Sequence, residues 1–269
     1  MKHSLLGKAV AAPERYAPDV LQAIERAAGR QAAGLPVSPE FAGSDLWTAW
    51  ELGWLDRGGK PQVAVAAIAV PADSPRLVES KSMKLYLHSL SMERYASADA
   101  VRQLLADDLG AATGSAVAVE LQPVADGATV RVTPFPGRCI DDLDVRCDRY
   151  TPDASLLSAA GEVVDDTLHS HLLQSNCPVT GQPDIGSVLV RYRGPRIDAA
   201  GLLRYIVSYR RHSGFHELCV EQMFNDISEH CRPQQLTVYA RYNRRGGIDI
   251  NPFRSNCEAV PDALRLWRQ

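Results

Sequence analysis

The chain runs twice through the same order of elements, and no other feature restricts its fold as tightly. Stretches 48–55 and 63–70 have strand character around the turn Asp56-Arg57-Gly58-Gly59-Lys60. Stretches 80–90 and 98–109 carry apolar residues at helical spacing. Stretches 115–124 and 128–132 return to strand character, with Ala125-Asp126-Gly127 as their turn. The second half repeats this order: strands at 167–175 and 186–192, helices at 199–211 and 217–230, then a hairpin of 236–242 and 248–251 around Arg244-Arg245-Gly246-Gly247. Each half therefore reads β-β-α-α-β-β. A shift of 119 positions sets Tyr86 on Tyr205, Val101 on Val220 and Leu104 on Met223, as a duplicated unit would. Short strand links favour antiparallel sheets with each helix pair on one face, an α+β class.

Four segments follow: an N-terminal extension over 1–43, loop-rich with a helical stretch at 19–28; a first module over 44–133; a Pro-, Asp- and Gly-rich connection over 134–165; and a second module over 166–269. Hydrophobic residues make up 45% and charged ones 23%, which excludes a disordered chain. A net charge of −3 provides no basic field for nucleic acid. No apolar run approaches the ~20 residues of a membrane span. Residues 1–10 lack the apolar core of a secretory signal. The six cysteines form no CxxC pair and no compact disulfide framework, which fits free thiols in a reducing cytoplasm.

Several constellations can carry chemistry. Cys177 lies in Ser175-Asn176-Cys177-Pro178-Val179-Thr180-Gly181-Gln182-Pro183-Asp184, between two strand-like runs. Such a loop can hold a thiol near a carboxylate, the pairing that lets a thiolate attack while protons are managed beside it. The same loop can also be a tight turn around a small buried cysteine. Glu79-Ser80-Lys81-Ser82-Met83-Lys84-Leu85-Tyr86 opens a helix, where free N–H groups favour anions. A capped helix with a solvated face is the plainer account. Phe215-His216-Glu217 stands between the helices of the second half, and its carboxylate can accept paired N–H bonds from a purine-like ring or simply start the next helix. Arg241, Arg244, Arg245 and Arg254 surround Gly246-Gly247 and can meet phosphate or belong to an exposed hairpin. No GxGxxG fingerprint is present. His169 and His171 alternate on one strand near Cys177, which raises a zinc site without the usual ligand spacing.

Taken in order, these four motifs resemble the long two-module form of the queuosine-pathway nitrile reductases, which act on 7-cyano-7-deazaguanine. The matching pieces are Glu79 to Tyr86, Ser175-Asn176-Cys177-Pro178 with Gln182-Pro183-Asp184, Phe215-His216-Glu217, and Arg244 to Pro252. The resemblance implies tandem tunnelling-fold modules and reduction of the nitrile to the amine of 7-aminomethyl-7-deazaguanine with two NADPH, in queuosine biosynthesis for tRNA modification. It implies Cys177 as the nucleophile forming a covalent thioimide and Asp184 as the proton donor. It further implies Val78, Glu79, Ser80, His216 and Glu217 as substrate contacts, and Ser80, Lys81, Arg245 and Gly246 as NADPH contacts. It implies no catalytic metal, a deazapurine as the small-molecule partner and no direct contact with nucleic acid. At the 119-position shift the second half lacks the Glu-Ser-Lys-Ser motif, while Cys177 falls on Gly58 and Asp184 on Val65. One site per chain, built where the modules meet, is the expectation. Unpaired sheet edges add the expectation of a homodimer.

Two other readings stay open on sequence alone. A zinc hydrolase of the same fold would use His169, His171 and Cys177, and stoichiometric zinc would reveal it. A non-catalytic binding module would keep Glu217 without covalent chemistry.

Overall fold

The computed structural model describes residues 12–125, 131–178, 180–259, 261 and 264–269. In chain order its elements are β1 (Ala23–Glu25), α1 (Arg26–Ala32), β2 (Ala42–Leu55), β3 (Pro61–Pro71), β4 (Arg76–Val78), α2 (Ser80–Ser89), α3 (Ala98–Thr113), β5 (Ala118–Pro123), β6 (Arg138–Cys139), β7 (Ala159–Ser170), β8 (Gln174–Asn176), β9 (Pro183–Ile197), α4 (Ala199–Ser208), α5 (His216–Cys231), β10 (Gln235–Tyr242) and β11 (Ile248–Ser255). This is the expected α+β class. The chain divides into two units that are not consecutive stretches: the first holds Met1–Gly29, Asp45–Val130 and Arg244–Ile250, the second Arg30–Ser44, Arg131–Asn243 and Asn251–Gln269.

In the first unit β3 pairs antiparallel with β5, and β2 lies on its other side. Alternate residues Ala64, Ala66, Ile68 and Val70 of β3 are buried, as a half-covered strand requires. They pack with Trp47 and Trp54 of β2, Met83 and Tyr86 of α2, and Val101, Leu105 and Leu109 of α3. Residues 244–250 belong here because Gly247 O accepts from Trp50 N at 2.9 Å and Asp249 Oδ2 from Trp50 Nε1 at 2.5 Å.

In the second unit β9 pairs antiparallel with β7, β8 and β10, and β10 with β11, while the short β6 runs parallel to β7. Val188, Val190 and Tyr192 of β9 bury one face against Tyr205, Ile206, Val220, Met223 and Ile227 of the helix pair. Residues 30–44 belong to this unit because the Arg30 guanidinium binds Glu221 at 2.8 Å and Phe41 meets Phe224 edge to face at 5.2 Å.

The repeat holds, with a slip. Shifting Ser80–Ser89 by 119 gives the span of α4, whereas Ala98–Thr113 reaches the span of α5 at 118. The buried faces Val101, Leu105, Leu109, Thr113 and Cys219, Met223, Ile227, Cys231 then coincide, so Val101 matches Cys219 and not Val220, and Met223 matches Leu105 and not Leu104. Equivalent bonds mark the same register. Tyr86 Oη donates to Asp108 at 2.5 Å and Tyr205 Oη to Asp226 at 2.6 Å, while Ser89 and Ser208 each bond the carbonyl of their preceding tyrosine at 2.6 Å.

Other boundaries differ from the sequence reading. The helical stretch expected at 19–28 is a 3-10 turn at Pro18–Val20 followed by β1; pairing with β4 satisfies the β1 backbone, and the helix starts only at Arg26. The connection at 134–165 carries β6, a 3-10 turn at Ala154–Leu156 and the start of β7. The strand expected over 167–175 breaks after Ser170, where Asp141 accepts from Ser170 Oγ at 2.6 Å and from His171 N at 3.0 Å and draws the chain out of the ladder. Most of the strand expected at 128–132 lies outside the described residues.

Candidate active site

The second unit gathers a thiol, two carboxylates and an imidazole. β8 and β9 form a hairpin that pairs Ser175 with Asp184 and Asn176 with Pro183. Cys177 begins its turn, donating its N–H to Gln182 O at 2.9 Å while Gly181 N–H returns to Cys177 O at 3.0 Å. Gly181 takes φ +66°, a left-handed conformation that glycine adopts without steric cost. The hairpin is docked onto the loop before α5: Asn176 N donates to His212 O at 2.8 Å and Gly214 N to Asn176 O at 3.2 Å. That docking brings the hairpin to the first turn of α5, which begins with His216 and Glu217.

Asp184 is 4% exposed and its Oδ2 lies 3.1 Å from His216 Nε2. The His216 ring stacks flat on Tyr242, with centroids 3.8 Å apart at 4°. Its Nδ1 is buried without a hydrogen-bond partner among the described residues. Glu217 is 2% exposed beside it. Phe215 caps α5 with no side-chain bond, and Glu217 places a negative charge in the first turn, where the helix end favours it.

The cysteines here divide by environment. Cys177 is partly exposed, whereas Cys219 and Cys231 are buried. Burial pushes the Cys219 thiol up to about 12, with the negative charges of Glu217 and Asp184 adding to it. Burial pushes Cys231 up to about 11. Neither buried thiol supplies thiolate at neutral pH.

The first unit gathers the second group of expected site residues. Glu79 is 2% exposed and caps α2, its carboxylate accepting from Lys81 N at 2.8 Å and Ser82 N at 2.7 Å. The anion-favouring helix end read from the sequence is thus filled by the chain's own carboxylate. Val78 is buried, whereas Ser80 and Lys81 are partly exposed at the start of α2. Gly246 takes φ +60° in the turn before β11, and a Cβ there would lie 3.1 Å from Lys84 Cδ, so α2 and the Arg245-Gly246 turn are neighbours. Arg244 stacks over Trp50 at 4.1 Å.

Two arginines of that motif are not free for phosphate. Arg254 is 0% exposed and binds Glu221 at 2.9 Å, while Arg241 donates to Gln269 Oε1 and Tyr239 Oη at 2.7 Å each. His169 and His171 do come together with a cysteine, but it is Cys139 and not Cys177. The zinc-hydrolase constellation is therefore not formed. Tyr242, the stacking platform of His216, was missed; in the sequence it is one aromatic in an apolar strand, with no signal to set it apart.

Residues 12–121 match the family described as nitrile reductase, 7-cyano-7-deazaguanine-reductase N-term, and residues 183–261 match the one described as QueF-like protein. The chain is 58% identical over 254 residues to an NADPH-dependent 7-cyano-7-deazaguanine reductase of Azoarcus sp., covering 94% of this chain and 90% of that protein. It is 52% identical over 271 residues to the protein of the same name from Burkholderia vietnamiensis, covering 100% of this chain and 99% of the relative. The matched segments contain Glu79, Ser80, Lys81, Asp184, His216, Glu217, Arg245 and Gly246, while Cys177 lies between them.

Proposed function

The chain belongs to the NADPH-dependent 7-cyano-7-deazaguanine reductases, and we propose that it reduces the nitrile of that deazapurine to the primary amine through a covalent bond to Cys177. The observation that carries this reading is a partly exposed thiol at the turn of the β8–β9 hairpin, the same hairpin that carries the buried Asp184 paired with His216. A nitrile accepts hydride poorly. Addition of the Cys177 sulfur to its carbon, with a proton passed through Asp184 to its nitrogen, gives a thioimide that accepts hydride readily. NADPH, when bound, supplies the two hydrides. After the first, the carbon–sulfur bond breaks, Cys177 leaves as the thiolate and an imine remains; the second hydride, with a proton passed through Asp184 to the nitrogen, gives the amine.

His216 holds Asp184 through Nε2 and leaves Nδ1 for a ligand. Glu217, next to it on α5, suits the paired N–H groups of a deazaguanine ring. In the first unit, Glu79 has lone pairs remaining after its two amide bonds, and Val78 and Ser80 flank it. Lys81, Ser80, Arg245 and Gly246 supply the cationic and hydroxyl groups and the close-approach backbone that a dinucleotide phosphate requires. The product would serve queuosine biosynthesis, with no direct contact of this chain with nucleic acid. The free thiols fit a reducing cytoplasm. A homodimer is the expected assembly, and light scattering would show twice the chain mass.

The test is to mix protein, 7-cyano-7-deazaguanine and NADPH and follow NADPH absorbance. Two NADPH are consumed per substrate if the reading holds; no substrate-dependent oxidation overturns it.

A further inference from the structure

In the second unit, Cys139, His169 and His171 bring three potential ligand atoms within 4.8 Å of one another. The register explains the grouping. β6 pairs Cys139 with His169, and His171 follows just past the end of β7, where Asp141 holds its backbone N–H. The imidazoles lie 5.3 Å apart at 66°. None of the three takes part in the chemistry assigned to Cys177.

Both imidazoles are held by bonds at Nδ1. His169 Nδ1 lies 3.1 Å from Pro136 O, and because a carbonyl only accepts, this nitrogen carries the proton and leaves Nε2 with its lone pair. His171 Nδ1 lies 2.8 Å from Ser187 Oγ. Asp141 fixes the backbone beside them through Ser170 Oγ and His171 N. Oxygen partners at Nδ1 behind both imidazoles and a carboxylate holding the chain are the kind of supports that orient metal-bound histidines. The approach of β6 is itself built in: Gly137 takes φ +83°, and a Cβ there would overlap the Thr167 carbonyl oxygen.

We propose that Cys139, His169 and His171 form a binding site for one zinc-type divalent cation, separate from the nucleophile, that staples residues 136–141 to the end of β7. Two imidazole nitrogens and a thiolate are the ligand set that zinc and cobalt(II) favour, at about 2.0–2.1 Å and 2.3 Å, so small side-chain rotations close the group. Binding releases the thiol proton of Cys139 to solvent and leaves a fourth position for water.

The experiment uses the full chain with Cys177→Ala, so that the nucleophile cannot supply the sulfur, titrated with cobalt(II). One equivalent should give thiolate-to-cobalt charge-transfer absorption with strong tetrahedral d–d bands, and equimolar zinc should erase them. In Cys177→Ala/Cys139→Ser, whose second change is at an exposed position, the charge-transfer band should vanish while the circular dichroism stays unchanged. Zinc should raise the melting temperature of the first variant and not of the second. Absence of the band from Cys177→Ala, or its persistence after Cys139→Ser, overturns the proposal.

Discussion

Asp184 is the residue on which the proposed chemistry and the geometry bear together, because it is buried and its carboxylate meets His216 on the hairpin that carries Cys177. Asp184→Asn keeps the shape and removes the transferable proton. It should lower turnover by roughly 10²–10⁴-fold, read as steady-state NADPH oxidation. That Cys177, Asp184, His216 and Glu217 fall in one unit was legible because each stands in a short motif. The stacking of His216 on Tyr242 was not, since it depends on where α5 meets β10. Cys219 gives a pH prediction at the same scale. Its thiol ionises at about 12 when folded and near ~9 when unfolded. The unfolded chain therefore loses this proton first. The contribution is fully present below about pH 9 and falls away as pH rises toward 12. Thermal melts should show stability declining across that window, and Cys219→Ala should flatten the decline.

At the scale of elements, the helix pairs were readable from apolar spacing and from the repeat, and their boundaries are close to the expected ones. The one-residue slip between α3 and α5 was not readable, because Val101 on Val220 and Val101 on Cys219 are equally apolar matches. The tyrosine–aspartate bonds decide it. Tyr205→Phe removes the bonds to Asp226 and to Tyr209 at 2.8 Å, and should destabilise the protein by about 1–3 kcal/mol in urea unfolding. A change no larger than a surface substitution would deny the bond its role. Gly137→Ala should cost more than that, since the left-handed backbone and the overlap with Thr167 act together. Strand ends were the least legible parts: Asp141 ends β7 from a distance of about 30 positions, and no local pattern announces it.

For the whole molecule, the class and the duplication were visible, whereas the division of the chain into discontinuous units was not. Segments 30–44 and 244–250 are tied to their units by long-range contacts, such as those of Arg30 with Glu221 and of Trp50 with Gly247, that leave no periodic trace. Arg254 shows the same limit: a cation that the sequence left open between a phosphate contact and an exposed hairpin is buried against Glu221 in an ion triad with Arg30. Glu221→Ala leaves two buried guanidinium groups without that carboxylate and should cost about 3–5 kcal/mol in denaturant unfolding. Each chain holds one Cys177, so the account predicts one covalent site per chain. Its most direct test is intact-protein mass spectrometry after mixing with 7-cyano-7-deazaguanine in the absence of NADPH. The account predicts one added substrate mass per chain, mapped to the Cys177 peptide and missing from Cys177→Ala; no adduct, or an adduct that survives in Cys177→Ala, would contradict it.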